Sequence, residues 1–148
     1  MKGVYPVYNN KFKIGVKGLE STDEDMKPIA DLETFGPSFD NGVEEWTPMD
    51  TEGWIRRLMT AKGLTIDLSG KRNVGDAGND YVASLLFANG QAVETKFEWE
   101  FPSGAKAVLN VLVNVTNAGG GDSTNVGALE FSVMSNGKPT FTPAPSQA

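Results

Sequence analysis

The sequence contains no cysteine and no histidine. Disulfides, thiolate or imidazole metal ligands, Ser-His and Cys-His nucleophile systems and a histidine general base are therefore excluded. Carboxylate chemistry survives the count, either as a Mg²⁺ or Ca²⁺ site built from acids or as hydrolysis by a carboxylate pair. No apolar run approaches the ~18 residues of a membrane-spanning helix. The opening MKGVYPVYNN is polar, is interrupted by Pro6 and has no basic-then-apolar leader, so neither membrane insertion nor export by the usual signal is expected. A length of 148 residues fits one domain, 1–148, able to bury a core without staples.

Charge is unevenly spread. Between Glu20 and Glu52 eleven acids face Lys27 alone, a balance of −10, while the other 115 residues hold eight acids and twelve Lys/Arg, a balance of +4. An acidic surface repels phosphate, so tight nucleic-acid binding is not expected, although such a surface suits nucleic acid that must pass without sticking. A solvated acidic loop would show the same composition.

Most of the chain reads as strands. Phe12, Ile14 and Val16 alternate with lysines over residues 10–17. Segments 28–35 and 43–47 flank the turn-rich Gly36-Pro37-Ser38-Phe39-Asp40-Asn41-Gly42, which predicts an acidic hairpin over about 28–48, too poor in apolar residues to stand without support. Trp54–Thr60 and Leu64–Ser69 flank Ala61-Lys62-Gly63, a plausible tight turn, although Trp54, Ile55, Leu58 and Met59 also fit helical spacing. Val93, Thr95, Phe97, Trp99 and Phe101 alternate with Glu94, Lys96, Glu98 and Glu100, and 105–116 is apolar and β-branched enough for a central strand. Residues 117–125 form a glycine-rich loop, 127–134 alternates again, Asn136-Gly137 signals a hairpin into 139–142, and 143–148 is a loose tail. The exception to this β pattern is 70–90, where a polar, glycine-rich lead-in precedes Tyr81–Ala88 and Asn89-Gly90 offers a stop. That predicts one short α-helix over about 79–89, capped by Asn79 or Asp80. The fold class is mainly β, a two-sheet sandwich or barrel with one short helix.

Few residues suggest chemistry. Gly75-Asp76-Ala77-Gly78-Asn79-Asp80 lies before a helix, where backbone N–H groups attract anions, but it lacks the Lys-Ser/Thr of a phosphate loop and carries two acids. Asp122-Ser123-Thr124-Asn125 has no spaced bidentate Glu for Ca²⁺. Glu94, Glu98 and Glu100 share a strand face and could form a carboxylate pair, a pattern that a solvated face also produces. Trp46, Trp54 and Trp99 could form a sugar-stacking platform or be buried. No catalytic residue, metal ligand or cofactor emerges. An unsupported acidic hairpin on a mildly basic body instead suggests self-association.

GWIRRLMTAKGLTIDLSGKRNVGDAGNDYVASLLFANG (Gly53–Gly90), followed by FEWEFPSGAKAVLNVLVNV and the ending LEFSVMSNGKPTFTP, resembles the tail tube (major tail) proteins of long-tailed bacteriophages and phage-tail-like particles, over residues 10–143. The resemblance implies a two-sheet sandwich flanked by a helix, assembled as homo-hexameric rings that stack into a hollow tube. One sheet of each subunit would join its neighbours in a barrel lining the channel, and a long hairpin would reach the adjacent ring. By position that reaching element is the acidic hairpin, with Glu33, Phe35, Phe39, Asp40, Glu44, Glu45 and Trp46 as inter-ring contact candidates; the N-terminal segment and 117–125 are further candidates. Glu94, Lys96, Glu98 and Glu100 are lumen-lining candidates, Lys96 interrupting an otherwise acidic row. Also implied are tape-measure, baseplate or tip, and tail-terminator partners, DNA transit without specific binding, assembly in the host cytoplasm and a final place in the virion tail, with no cofactor and no catalysis. A monomeric glycan-binding module of the jelly-roll kind is the alternative from a different functional class.

Overall fold

A computed structural model describes residues 3–144. The alternating segments become strands: β1 (Lys11–Gly15), β2 (Met26–Pro28), β3 (Leu32–Trp46), β4 (Arg56–Lys71), then helix α1 (Ala77–Ser84), then β5 (Glu94–Glu100), β6 (Lys106–Ala118), β7 (Ala128–Ser135) and β8 (Thr140–Thr142). All pairings are antiparallel, and one hydrogen-bonded sheet runs β2-β1-β5-β6-β7-β4-β3, with β8 also on β6. The mainly β fold with one helix is as the sequence reads, but the two layers of the sandwich are a single sheet curled on itself. Phe35 on the last strand packs edge-on against Phe12 near the opposite end, ring centres 4.8 Å apart, and against Trp99 at 5.6 Å. An open groove of about 600 Å³ marks the seam where these ends meet.

The core follows the period-2 pattern. Ile14, Phe97, Leu109, Val111, Val113, Leu129, Phe131, Val133, Leu64, Ile66 and Leu68 turn inward from successive strands, and Val82 and Leu85 of the helical segment close one opening. Side chains alternate across a strand, so each inward row brings an outward polar row with it.

Three boundaries differ from the sequence reading, each for a local reason. The hairpin expected over 28–48 is instead the first half of a longer one. Residues 36–42 do not turn but run straight through β3, paired with β4 from Leu32↔Gly70 to Trp46↔Arg56. As an edge strand β3 tolerates Pro37, and Gly42 meets Ala61 where a Cβ would lie 3.0 Å from the alanine methyl, at a bulge between Gly42 and Val43. The real turn spans 47–55, where Glu52 (φ 54°) and Gly53 (φ 89°) reverse the chain and the Thr51 hydroxyl donates to the Pro48 and Trp54 carbonyls. Consequently Ala61-Lys62-Gly63 is no turn either.

The helix begins and ends earlier than expected. Asp76 caps it, its carboxylate accepting from the Asn79 N–H at 3.0 Å, and beyond Ser84 the chain tightens into i→i−3 turns through Ala88. Gly78 belongs to the helix because the Pro28 carbonyl occupies the space a Cβ would need. Asn136-Gly137 makes a jog, not a hairpin: the Asn136 N–H bonds the Asn110 carbonyl at 2.8 Å, and β8 rejoins β6 on the line that β7 has left. Of the expected tail, residues 145–148 lie outside the described residues. Among the described residues no helix is long and apolar enough to cross a membrane.

Candidate functional site

β7 covers β4 only from Thr65 to Lys71. The part of β4 before Leu64, with the end of β3 that pairs to it, therefore leaves the body as a two-stranded arm of roughly 25 Å at the usual strand rise. An isolated hairpin of this kind has no core of its own. Yet Phe39, Val43, Trp46, Met49, Trp54, Ile55, Leu58 and Met59 are all exposed on it, Met49 and Trp54 by 103% and 79%. Apolar surface in such density on a protruding element marks an interaction site.

Register sets what each side of the arm presents. Up to the bulge the core-side row Phe35, Pro37, Phe39 faces Leu68, Ile66, Leu64. The bulge shifts β4 by one residue, so beyond it Val43 faces Met59 and Glu45 faces Arg57 on one side, while Glu44 faces Leu58 and Trp46 faces Arg56 on the other. Both sides of the arm thus carry apolar groups. The arm also carries its own counter-charges: Glu45 meets Arg57 at 3.0 Å, the Arg56 guanidinium lies 5.6 Å from the Trp46 ring centre, and Lys62 lies 5.6 Å from that of Phe39. Glu33, at the root, pairs with Lys71 at 3.2 Å. Two of the acids that look unopposed along the chain, Glu33 and Glu45, are paired across the ladder, and beside them exposed apolar groups are a prominent feature of the arm.

The structure places Phe39, Asp40, Glu44, Glu45 and Trp46 together on the exposed arm. Phe35 is separate, half-buried in the aromatic cluster of Phe12, Trp99 and Phe101. Sequence reasoning missed the other half of the arm, Trp54, Ile55, Leu58 and Met59. Their failure to alternate was the available signal, because both faces of the arm carry apolar groups and no buried face imposes a period on them.

Glu94, Lys96, Glu98 and Glu100 lie on the outward face of β5, half-buried among Lys11, Lys13 and Lys106 of the flanking strands. Glu98 approaches Lys13 at 4.0 Å and Glu94 accepts from Asn136 at 3.0 Å. This face mixes signs, with four lysines beside three glutamates. A second outward face runs across β3, β4, β7 and β6. There Gly36, Asp67, Ser132 and Asn114 lie abreast, with Ser38 and Thr65 on one side of that row and Thr34, Ser69 and Glu130 on the other. Its middle is small and polar with the acids Asp67 and Glu130, flanked by Met134 and Leu112 beside Thr65 and by Lys71 beyond Ser69.

Candidate chemistry elsewhere is not assembled. Trp99 donates to Asn10 inside the aromatic cluster, while Trp46 and Trp54 sit on the arm, so the three tryptophans form no common platform. Among the described residues no group of three or more acids is placed to hold a metal ion. The loop before α1 is internally satisfied: Asp80 accepts from Arg72 at 2.8 Å and from the Gly75 N–H at 3.1 Å. These donors, Arg72 foremost, hold the Asp80 carboxyl below its ordinary value of 3.8. A depressed folded value means the stabilisation is complete above the unfolded value and is lost as pH falls through the folded one. In melts recorded from about pH 5 to about pH 2, Asp80→Asn should flatten the acid-side fall of Tm relative to the parent; superimposable acid limbs would contradict this.

No family model matches the chain, and no curated protein matches it. Solved structures do. A chain from the tail of an empty gene transfer agent particle, determined by helical refinement with C6 symmetry, superposes with a TM-score of 0.73 at 16% identity, covering 95% of this chain and all of that one. A chain from the virion of a native gene transfer agent particle superposes with a TM-score of 0.70, also at 16% identity and with the same coverage. The fold of this chain resembles that of these gene transfer agent tail structures, a phage-like tail tube fold.

Proposed function

We propose that the protein is a structural subunit of a phage-like tail, self-assembling through head-to-tail contacts into stacked hexameric rings whose channel passes DNA. The observation that carries this reading is the arm, an apolar two-stranded element without a core that only a neighbour can cover. Two free strand edges support it. Among the described residues β3 has no partner on its outer side, and β5 ends opposite Leu112, leaving 113–118 of β6 without a strand partner on that edge. Long free edges are templates for pairing with another chain. Between these edges lie four strands, β3-β4-β7-β6, in alternating direction. With an even number, β3 of one copy set beside 113–118 of the next continues the antiparallel alternation under pure rotation, the condition for a closed ring.

In such a ring the small, acidic face of Asp67, Glu130, Ser132 and Asn114 would be the channel wall, because its opposite face is the core. β5 belongs to the other layer, which would turn Glu94, Lys96, Glu98 and Glu100 to the outside. Asp67 and Glu130 on this wall repel phosphate, and Lys71 at its end is paired with Glu33 at 3.2 Å, which limits what DNA can grip. Tape-measure, tip and terminator proteins are the partners of such a tube, and the virion tail is its location.

Negative-stain electron microscopy of the concentrated protein, with a salt step to screen repulsion between acidic faces and with preformed particles as seeds, tests the proposal. Sixfold rings or hollow tubes with a stain-filled channel are expected. A monodisperse monomer under every one of these conditions would overturn it.

A further inference from the structure

All the sulfur in this chain is thioether, because the sequence has five methionines and no cysteine. A two-electron oxidant such as hydrogen peroxide therefore finds no thiol, and the sulfur it converts first is the one most open to solvent. Among the described methionines the structure sets one apart. Met49, at the arm tip, is 103% exposed, whereas Met59 on the flank of the arm is 49% exposed and Met26 and Met134 are half-buried on the body. Met49 opens the tight turn Met49–Thr51, which backbone groups and the Thr51 hydroxyl hold closed, so the fold makes no use of the thioether. Trp54 and Ile55 stand exposed where the chain leaves the same turn. A flexible, polarisable, apolar side chain in water beside an exposed indole is what a neighbour's apolar surface takes up, and it adapts to irregular gaps there.

We propose that Met49 is an oxidation site that gates assembly: peroxide converts its thioether to the sulfoxide in the free subunit, and the oxidised arm no longer seats on a neighbour. In this step the sulfur gives an electron pair to one peroxide oxygen, the O–O bond breaks, and the other oxygen leaves with both protons as water. Sulfur is oxidised and the peroxide is reduced. The product is polar, and its new oxygen is an acceptor that water satisfies on a free arm. In an apolar contact that oxygen loses its water and gains no donor, so docking is opposed while the free fold, where the group is solvated in both forms, is not. A neighbour that covers the thioether also shields it, so the modification acts on subunits not yet built in. The effect on assembly rests on the tail-subunit reading; the place of oxidation does not.

The free subunit is treated with graded hydrogen peroxide, and sulfoxide at each methionine is read by mass spectrometry of a digest. Assembly is then followed by light scattering and electron microscopy for the parent, Met49→Leu, Met59→Leu and Met49→Gln. Met49 should convert ahead of Met26, Met59 and Met134, with Tm unchanged. The concentration the oxidised parent needs for assembly should rise about tenfold or more, and methionine sulfoxide reductase should restore it. Met49→Leu should assemble before and after peroxide, and Met59→Leu should remain sensitive. Met49→Gln, which sets a polar amide where the sulfoxide would be, should assemble poorly with no oxidant present. Tubes formed before treatment should keep Met49 reduced. Another described methionine converting first, an oxidised parent assembling unchanged, or oxidised Met49→Leu losing assembly as the parent does would each overturn the proposal. A parent that forms no tubes refutes the tail-subunit reading and the gate with it, while the order of oxidation is still decided by the digest.

Discussion

Removing residues 41–62 and joining Asp40 to Gly63 through an Asn-Gly turn should give a chain that melts within a few degrees of the parent and forms no ring or tube. The two halves of this expectation have separate sources. No member of the buried core lies within the deleted segment, because the last core residue on β4 is Leu64. The segment contributes side chains that are already in water: Val43, Trp46, Met49, Trp54, Ile55, Leu58 and Met59. If a neighbour buries these seven, the gross hydrophobic gain is on the order of 10 kcal/mol per arm, before the cost of ordering the partners. No other exposed part of the described chain gathers apolar side chains on this scale. Thermal melts by circular dichroism check the first half, and light scattering with electron microscopy checks the second. Tubes of normal diameter from the shortened chain would remove the arm from the assembly mechanism.

The sequence made this arm visible and misdrew it. Core strands were legible because Val93, Thr95 and Phe97, or Leu129, Phe131 and Val133, alternate under a buried face, and burial enforces the period. On the arm no core enforces a pattern. Gly36, Pro37 and Asn41-Gly42 carry turn chemistry that an edge strand can absorb, and Leu58 and Met59 put apolar groups on both faces of the arm, which erases the alternation. Charge misled for a related reason. Counted along the chain, Glu45 and Glu33 have no cation near them, while their partners Arg57 and Lys71 arrive only through the β3–β4 ladder. Of the site candidates, Phe39, Glu44, Glu45 and Trp46 come together as one exposed element, whereas Phe35 belongs to the body. The buried hydrogen bonds of Asn79 were illegible because its partners are backbone groups of Ala30, Lys71 and Asn73, which no residue pattern announces. The free edges that support a ring follow from where β5 stops relative to β6, a matter of register that propensity does not encode.

The converse of the arm deletion is Phe97→Ala, which should cost about 3–5 kcal/mol and lower Tm by roughly 10 °C. Phe97 is fully buried on β5, opposite Ile14 of β1 and Leu109 of β6, with its ring stacked 5.8 Å from Phe12. Truncation leaves a cavity walled by strand residues that the sheet holds in place, so little collapse can refill it. Against a total stability of about 5–15 kcal/mol this is a large fraction. Phe87→Ala, at a ring 96% exposed after α1, should move Tm hardly at all and serves as the control. Differential scanning calorimetry decides the matter, and a loss below about 1 kcal/mol would mean the core relaxes around the missing ring. Assembly is expected to go the other way. Phe97 lies in the body, paired with Ile14 and Leu109 and outside the arm, so at temperatures where the variant is folded it should still form rings. One substitution then lowers stability and spares assembly, while the arm deletion spares stability and abolishes assembly. That crossed result is what an assembly element cantilevered from an independently folded body requires, and a protein whose arm was simply part of its fold could not give it.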